Sequence, residues 1–146
     1  MIEIVEMNTA HLPALAELER ACFSSPRSEK QLAEELTNPS AVFLTALCGG
    51  KIAGYCGLHF VLDEGYIDDV AVSDSFRRKG VAQALMTALE EKAARLDLAF
   101  ISLEVRQSNL PAIELYSKLG YKKVGLRKNF YEKPTENGFI YTKHLK

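Results

Sequence analysis

The sequence has no tryptophan, only three cysteines and no apolar run long enough to span a membrane. A transmembrane helix needs about 20 mostly apolar residues, so we expect no membrane segment and no membrane partner. The cysteine number is odd and no C-x-x-C pair occurs, which argues against a disulfide framework and favours a reducing compartment. The net charge is only −1, so the overall charge does not predict binding to nucleic acid.

Histidine is also scarce. His11, His59 and His144 are far apart and show no ligand spacing such as H-E-x-x-H, so we expect no metal. A cysteine with a distant histidine is a conceivable nucleophilic pair, but free cysteines more commonly act as small apolar core residues. The first residues lack the basic start and apolar core of a secretory signal, and we therefore expect a cytoplasmic protein.

The rest of the composition is that of a globular protein. The 146 residues are 47% hydrophobic and 25% charged, which fits a single domain over residues 1–146. Apolar residues that alternate predict strands, and apolar residues at helical spacing predict helices. Predicted strands cover 2–6, 41–47, 52–60, 62–72, 99–105, 121–126 and 139–144, and predicted helices cover about 12–22, 28–36, 80–96 and 109–119. A hairpin turn is expected at 48–51, and a turn or irregularity near 63–65.

This order of elements predicts the fold class. An antiparallel first half is followed by a β-α-β second half, so we expect an α/β (α+β) fold with a mixed sheet and helices on both faces. Ligands of such sheets bind beyond the carboxyl ends of strands, where neighbouring strands diverge.

The segment 77–82, Arg-Arg-Lys-Gly-Val-Ala, lies at such an end, between the strand 62–72 and the helix that begins near Gly80. The first N–H groups of a helix have no partner in the helix, and the helix dipole adds partial positive charge there. Gly80 has no Cβ to keep an anion away, so the segment is suited to a pyrophosphate. An ordinary solvated turn with a loop glycine also fits these six residues. Neither a G-x-x-x-x-G-K-[ST] run nor a G-x-G-x-x-G run is present.

Two further segments complete a recognisable pattern. Leu103-Glu104-Val105-Arg106 is followed by Ser108-Asn109, and residues 112–121 read AIELYSKLGY. With Val70-Ala71-Val72 and segment 77–82, they resemble the GNAT superfamily of acetyl-CoA-dependent N-acetyltransferases over nearly the whole chain. Within it, the sequence is most similar to the bacterial RimI-type enzymes, which acetylate the N-terminal alanine of a small-subunit ribosomal protein. The basic-aromatic stretch 127–131 resembles theirs too.

The resemblance implies a mostly antiparallel sheet that splays between strands 4 and 5, acetyl-CoA as co-substrate, and a protein N-terminal peptide as partner. It also implies a monomer that binds no nucleic acid directly. It makes Glu104 the general base and Tyr116 the general acid that protonates the departing thiolate. It assigns cofactor binding to Val70, Ala71, Val72, Arg77, Arg78, Lys79, Gly80, Val81, Ala82, Gln83 and Asn109.

The implied chemistry is reasonable for these residue types. An α-amine has a pKa of about 7.7–8.0, against about 10.4 for lysine, so a carboxylate is a sufficient base for an α-amine. A tyrosine, with a pKa of about 10, can protonate a thiolate whose pKa is about 8.5. A backbone N–H near Val72 would hold the oxyanion. No covalent enzyme intermediate is required.

Structural explanations exist for the same residues. Glu104 alternates with apolar neighbours and fits the solvent face of a strand, Tyr116 fits a helix core, and Asn109 fits a helix N-cap. Two alternative functions also stay open: acetylation of a small-molecule amine, and a CoA-binding module without turnover.

The chain departs from its relatives at three places. Pro26-Arg27-Ser28 stands where Pro-Trp-Ser is common, Asp69 stands where Asn is common, and 136–138 reads Glu-Asn-Gly. We therefore expect a different peptide preference. Asp68 and Asp69 either attract a basic peptide or are solvated charges at a strand end.

Overall fold

Seven strands form one sheet, flanked by four α-helices. The computed structural model describes residues 1–146. The strands are β1 (Ile2–Glu6), β2 (Ala41–Cys48), β3 (Lys51–Val61), β4 (Glu64–Val72), β5 (Phe100–Arg106), β6 (Lys122–Tyr131) and β7 (Glu136–His144). The helices are α1 (Leu12–Cys22), α2 (Glu29–Glu35), α3 (Val81–Arg95) and α4 (Leu110–Lys118), with short 3-10 turns at Thr9–His11 and Asp74–Phe76.

The strand order is β1-β2-β3-β4-β5-β7-β6, and all neighbours are antiparallel except β4 and β5. This confirms the mixed, mostly antiparallel sheet. The expected turn at 48–51 is also confirmed: Gly49 and Gly50 have φ angles of +56° and +80° between β2 and β3. Ser28 caps α2, because its hydroxyl accepts the Gln31 N–H while the Gln31 side chain accepts the Ser28 N–H.

Helices cover both faces of the sheet, as expected. On one face, the apolar side of α3 is fully buried at Leu85, Met86 and Leu89, and α4 packs into the same cluster. On the other face, Leu15 of α1 and Leu32 of α2 are fully buried with residues of β2 and β3. Because β4 and β5 are parallel, their carboxyl ends lie at the same end of the sheet, between these two helical layers.

The structure differs from the predicted boundaries near the C-terminus. Strand β6 continues to Tyr131 and β7 begins at Glu136, whereas the predicted strands stop at 126 and begin at 139. Residues 127–130 lie on the edge strand and are exposed on both faces, so no alternation marks them as strand. The turn expected near 63–65 lies at 62–63, and the irregularity is a β-bulge further along β4.

None of the four helices combines the length and apolarity that crossing a bilayer would demand. The three cysteines are free: Cys56 is buried, and Cys22 and Cys48 are half-buried.

Candidate active site

Strands β4 and β5 pair over only three residues and then separate. Glu64 to Tyr66 pair with Phe100 to Ser102, and no pairing follows, although β4 continues to Val72 and β5 to Arg106. A V-shaped gap therefore opens toward the carboxyl ends of the two strands, as the splay expected from the family resemblance requires. The edge of β4 that faces this gap has no partner strand.

The register between β3 and β4 shows which groups face the gap. Ser73 donates its N–H to the carbonyl of Ala53 at 2.8 Å, and in an antiparallel pair only alternate residues bond to the partner strand. The N–H and C=O groups of Val70 and Val72 therefore point away from β3 and into the gap. This supports their predicted role in binding a pantetheine arm and a thioester carbonyl.

The loop before α3 presents a row of free backbone donors. Gly80 is the N-cap residue with φ +80°, and no side chain caps the helix. The backbone N–H groups of residues 78–83 make no hydrogen bond within the protein. Arg78 has φ +62°, a left-handed conformation that costs a non-glycine residue about 1–2 kcal/mol. Strained backbone beside six unpaired donors fits the predicted pyrophosphate site at Arg78 to Gln83.

The basic side chains of this loop differ in their partners. Arg77 pairs with Asp74 at 3.0 Å, and the Lys79 ammonium lies 5.5 Å from the centre of the Phe76 ring. Arg78 has no acidic partner, and its side chain is free to meet a phosphate. Ala71, by contrast, is buried between the sheet and α1, and by the same alternation its backbone groups face β3 and not the gap.

Asn109 is the N-cap of α4, which is the purely structural role that the sequence also allowed for this residue. Its Oδ1 accepts the Ala112 N–H at 3.3 Å, which leaves the Nδ2 group free to donate. The cap role and the predicted contact with the pantetheine arm use different atoms of the side chain. Both roles are therefore compatible.

Glu104 lies on the half-exposed face of β5, between buried Leu103 and Val105. Its Oε1 is 3.2 Å from Nε of Arg127, and its side chain is 29% exposed. The carboxylate of Glu104 faces Arg127, whereas Arg106 pairs with Glu136. The Glu104 carboxylate is therefore accessible from solvent and has an ion-pair partner on β6.

Tyr116 is almost buried, at 8% exposure, and its ring lies 6.0 Å from the Tyr121 ring. Its hydroxyl has no hydrogen-bond partner, yet it is not among the polar atoms sealed from solvent. Burial raises the pKa of this phenol, with a smaller contribution from the nearby Tyr131. A phenol that holds its proton and has a free hydroxyl is suited to donate that proton.

A cleft of about 580 Å³ lies at the carboxyl ends of β4 and β5, and Asp69 and Arg106 of these strands line it. Its walls are the end of α1 with the loop that follows, and the turn between β6 and β7. The side chains that bear on its chemistry are Cys22, Asp69, Arg106, Ser108, Tyr131 and Glu136. None of the predicted site residues lines it, so the cleft is separate from the predicted donor site.

Arg106 fixes the wall formed by the β6–β7 turn. Its guanidinium donates to the carbonyls of Glu132 and Pro134, both at 2.9 Å, and lies 3.3 Å from the Glu136 carboxylate. It also lies 4.6 Å from the centre of the Tyr131 ring. Burial and the charge of Glu104 raise the pKa of Tyr131 to about 12. The Tyr131 phenol therefore stays neutral between the cleft and Glu104.

The model of the acetyltransferase (GNAT) family matches residues 12–121. The chain belongs to this family. It is an acetyl-CoA-dependent N-acetyltransferase, and the unpaired edge of β4 and the free donors of residues 78–83 fit that co-substrate. The family expected from the sequence is confirmed.

Named relatives agree. A Bacillus subtilis protein is 37% identical over 123 residues, covering 84% of this chain and 80% of its own length; its name assigns it provisionally to [ribosomal protein bS18]-alanine N-acetylation. The [ribosomal protein bS18]-alanine N-acetyltransferase of Escherichia coli K12 is 33% identical over 138 residues, covering 94% of this chain and 91% of its own length. The crystal structure of the Escherichia coli enzyme aligns with a TM-score of 0.91 at 30% identity, over 100% of this chain and 95% of that one.

A more distant solved structure shares the fold. NAA60 of Arabidopsis thaliana, solved with acetyl-CoA, aligns with a TM-score of 0.90 at 18% identity, over 99% of both chains.

Sequence reasoning missed the polar contacts behind the cleft, in which the Tyr55 hydroxyl joins Glu19 to Asp69. Glu19 is 1% exposed and lies one helical turn after the buried Leu15, on the apolar side of α1. A carboxylate at an apolar helix position is a signal that the sequence offers. No group of three or more His, Cys, Asp or Glu side chains is placed to hold a metal ion.

Proposed function

We propose that this chain transfers the acetyl group of acetyl-CoA to the α-amine at the N-terminus of a protein, and that the acceptor is the N-terminal alanine of ribosomal protein S18. One observation carries the proposal: the cleft opens beside the unpaired edge of β4. An amine in the cleft therefore meets a thioester held along Val70 and Val72. The relatives named for this reaction supply the choice of acceptor.

The donor binds through backbone groups. Residues 78–83 hold the pyrophosphate, with Arg77 and Lys79 adding positive charge, and Val70 and Val72 line the pantetheine arm together with Asn109. A backbone N–H near Val72 stabilises the oxyanion that forms when the amine attacks the thioester carbon.

Two side chains handle protons. Glu104 accepts the proton that the attacking amine loses, directly or through water. Tyr116 gives its proton to the sulfur as the C–S bond breaks, so that CoA leaves as a thiol. Burial favours the protonated phenol, which is the form that this step needs.

The proposal extends to the setting of the enzyme. Residues 1–146 act as one acetyltransferase domain, which works as a cytoplasmic monomer and does not bind nucleic acid directly. The net charge of −1 is in keeping with recognition of a peptide in place of a polyanion.

The test is product analysis with matched peptides. The enzyme is incubated with acetyl-CoA and a peptide that begins Ala-Arg-Tyr and contains one lysine, and the product is fragmented by mass spectrometry. We expect one acetyl group on the α-amine. The matched control carries a blocked α-amine and the same lysine, and it should stay unmodified.

Two outcomes would contradict the proposal. Acetylation of polyamines or aminosugars, with the peptide unmodified, would favour a small-molecule acceptor. Tight binding of acetyl-CoA without acetylation of any amine would indicate a non-catalytic module.

A further inference from the structure

Three polar side chains form a chain from the cleft into the protein interior. Asp69 of β4 lines the cleft, and its Oδ2 lies 3.2 Å from the Tyr55 hydroxyl of β3. The same hydroxyl makes a short hydrogen bond to Glu19 of α1. Tyr55 is fully buried and Glu19 is 1% exposed. One phenol thus links a cleft carboxylate to a buried one.

A β-bulge directs Asp69 toward the cleft. Gly57 pairs with Asp69 and Leu58 pairs with Ile67, so Asp68 is an extra residue in β4. In a regular strand, neighbouring side chains point to opposite faces, whereas a bulge can place two on one face. Arg27 lies 3.0 Å from Asp69 and 3.7 Å from Asp68, which shows that both carboxylates share a face.

The hydroxyl of Tyr55 has one proton, so it can donate to only one of the two carboxylates. If it donates to Asp69, Glu19 must be protonated to donate in turn to the phenol oxygen. Burial raises the pKa of Glu19, and the neighbouring carboxylate of Asp69 raises it further. The Arg27 guanidinium lies 3.0 Å from Asp69, and the raised pKa of Glu19 places the proton of the pair on Glu19.

Other charged and titratable groups surround the pair on each element packed against it. Beside Glu19 are the Arg27 N–H at 2.7 Å and the Cys22 thiol. Arg27 also pairs with Glu35, which in turn contacts His59. From β6, Tyr131 faces Asp69. The Arg27 guanidinium is thus shared among three carboxylates, those of Glu35, Asp68 and Asp69.

One carboxylate oxygen of Asp69 has no hydrogen-bond partner. Both the Tyr55 hydroxyl and the Arg27 guanidinium contact Oδ2, and Oδ1 has no hydrogen-bond partner in the protein. The Asp69 side chain is 19% exposed, and an unpartnered carboxylate oxygen in the cleft is suited to an ammonium group.

We propose that Asp69 is an acceptor-recognition residue, whose Oδ1 binds the α-ammonium group of the incoming N-terminus before Glu104 removes its proton. Tyr55 and Glu19 are positioning residues: they orient Asp69 and hold the shared proton on the buried side. The inference rests on the proposed function, because it names a recognition group for that acceptor.

The experiment compares two peptides that differ in one group. The first begins with alanine, and the second begins with lactic acid, which replaces the ammonium by a hydroxyl. Calorimetry measures their binding to the enzyme loaded with CoA, in which no reaction occurs. We expect the wild-type enzyme to prefer the alanyl peptide by about 10–100-fold, the range of a charged hydrogen bond.

Asp69→Asn should reduce that preference to about twofold or less. The matched control is Asp68→Asn, which removes a neighbouring carboxylate that also contacts Arg27 but does not line the cleft, and it should keep the preference. Tyr55→Phe should reduce the preference severalfold, and it decides the matter if Asp69→Asn does not fold. The proposal would be overturned if Asp69→Asn and Asp68→Asn preferred the alanyl peptide over the lactyl peptide to the same extent. It would also be overturned if Tyr55→Phe kept the wild-type preference.

A second measurement requires no acceptor. Infrared spectroscopy at neutral pH should show the carbonyl band of a protonated carboxylic acid in the wild-type enzyme, and Glu19→Gln should remove that band. If the wild-type enzyme lacks this band, Glu19 does not carry the proton that the proposal places on it. Failure of the proposed function would look different, since no α-amine peptide would then be acetylated whatever the infrared result.

Discussion

Replacing Gly80 by alanine tests the predicted pyrophosphate site directly. Gly80 has φ +80° at the start of α3, and nothing lies within 4 Å of the position that a Cβ would occupy. An alanine there meets no clash in the free protein. It nevertheless places a methyl group on the loop whose unpaired N–H groups are predicted to meet the diphosphate.

The chain provides a matched control. Gly50, in the turn between β2 and β3, also has φ +80° and open space at its Cβ position. Alanine in the left-handed conformation costs about 1 kcal/mol, so both variants should lose a similar free energy of unfolding. Any difference between them in acetyl-CoA binding therefore isolates the approach of the phosphates to Gly80.

We expect Gly80→Ala to weaken acetyl-CoA binding by about 1–2 kcal/mol, which is roughly a 5–30-fold rise in Kd, since one or two charge-assisted hydrogen bonds would lengthen. Gly50→Ala should bind as the wild type does. Isothermal titration calorimetry measures both Kd values, and thermal denaturation checks that both variants lose similar stability. If the two variants bind acetyl-CoA equally well, the start of α3 does not hold the pyrophosphate.

Four further predictions address the cleft and the proton carriers. Arg106→Gln removes a guanidinium that holds the β6–β7 turn. It should raise the peptide KM about tenfold or more while the KM for acetyl-CoA stays the same, and an unchanged peptide KM would contradict this prediction. Tyr116→Phe should lower kcat about 100-fold without changing acetyl-CoA affinity, and a wild-type kcat would remove Tyr116 from the mechanism. Glu104→Gln should depress the rate most at low pH, so a mutant-to-wild-type ratio that is constant from about pH 6 to about pH 9 would argue against a base. Folding raises the pKa of Glu19, so the stability that protonated Glu19 contributes is present at low pH and is lost as the pH rises. The melting temperature of Glu19→Gln, measured relative to wild type, should therefore increase from about pH 5 to about pH 8.

The donor site could be predicted from the sequence because it is local. The unpaired donors before α3 follow from a strand, a short loop and a helix start within some fifteen residues, and backbone groups carry most of the binding. The number and order of strands and helices were predictable for the same reason: periodicity and turn residues mark each of them. The separation of β4 from β5 came from the family resemblance, since no local pattern records where two strands stop pairing.

The cleft could not be predicted in this way. Glu19, Tyr55 and Asp69 belong to α1, β3 and β4, and they meet because a bulge at Asp68 turns Asp69 toward α1. Single residues in separate elements carry no joint pattern. The sequence did mark Asp69 as a departure from relatives, but not its contact with Arg27.

That contact connects two of the departures. Arg27 and Asp69 both differ from the residues common in relatives, and the structure joins them in one ion pair at 3.0 Å. A lone Asp69 beside the buried Glu19 would place two carboxylates on one hydroxyl without a nearby cation, and a lone Arg27 would lose its closest carboxylate. Each residue therefore stabilises the charge of the other, and exchanging one alone should cost more than exchanging both. Because Asp69 lines the cleft and no side-chain hydrogen bond or ion pair joins this pair to a predicted donor residue, the pair can alter the choice of peptide while the binding of acetyl-CoA stays as it is in the family.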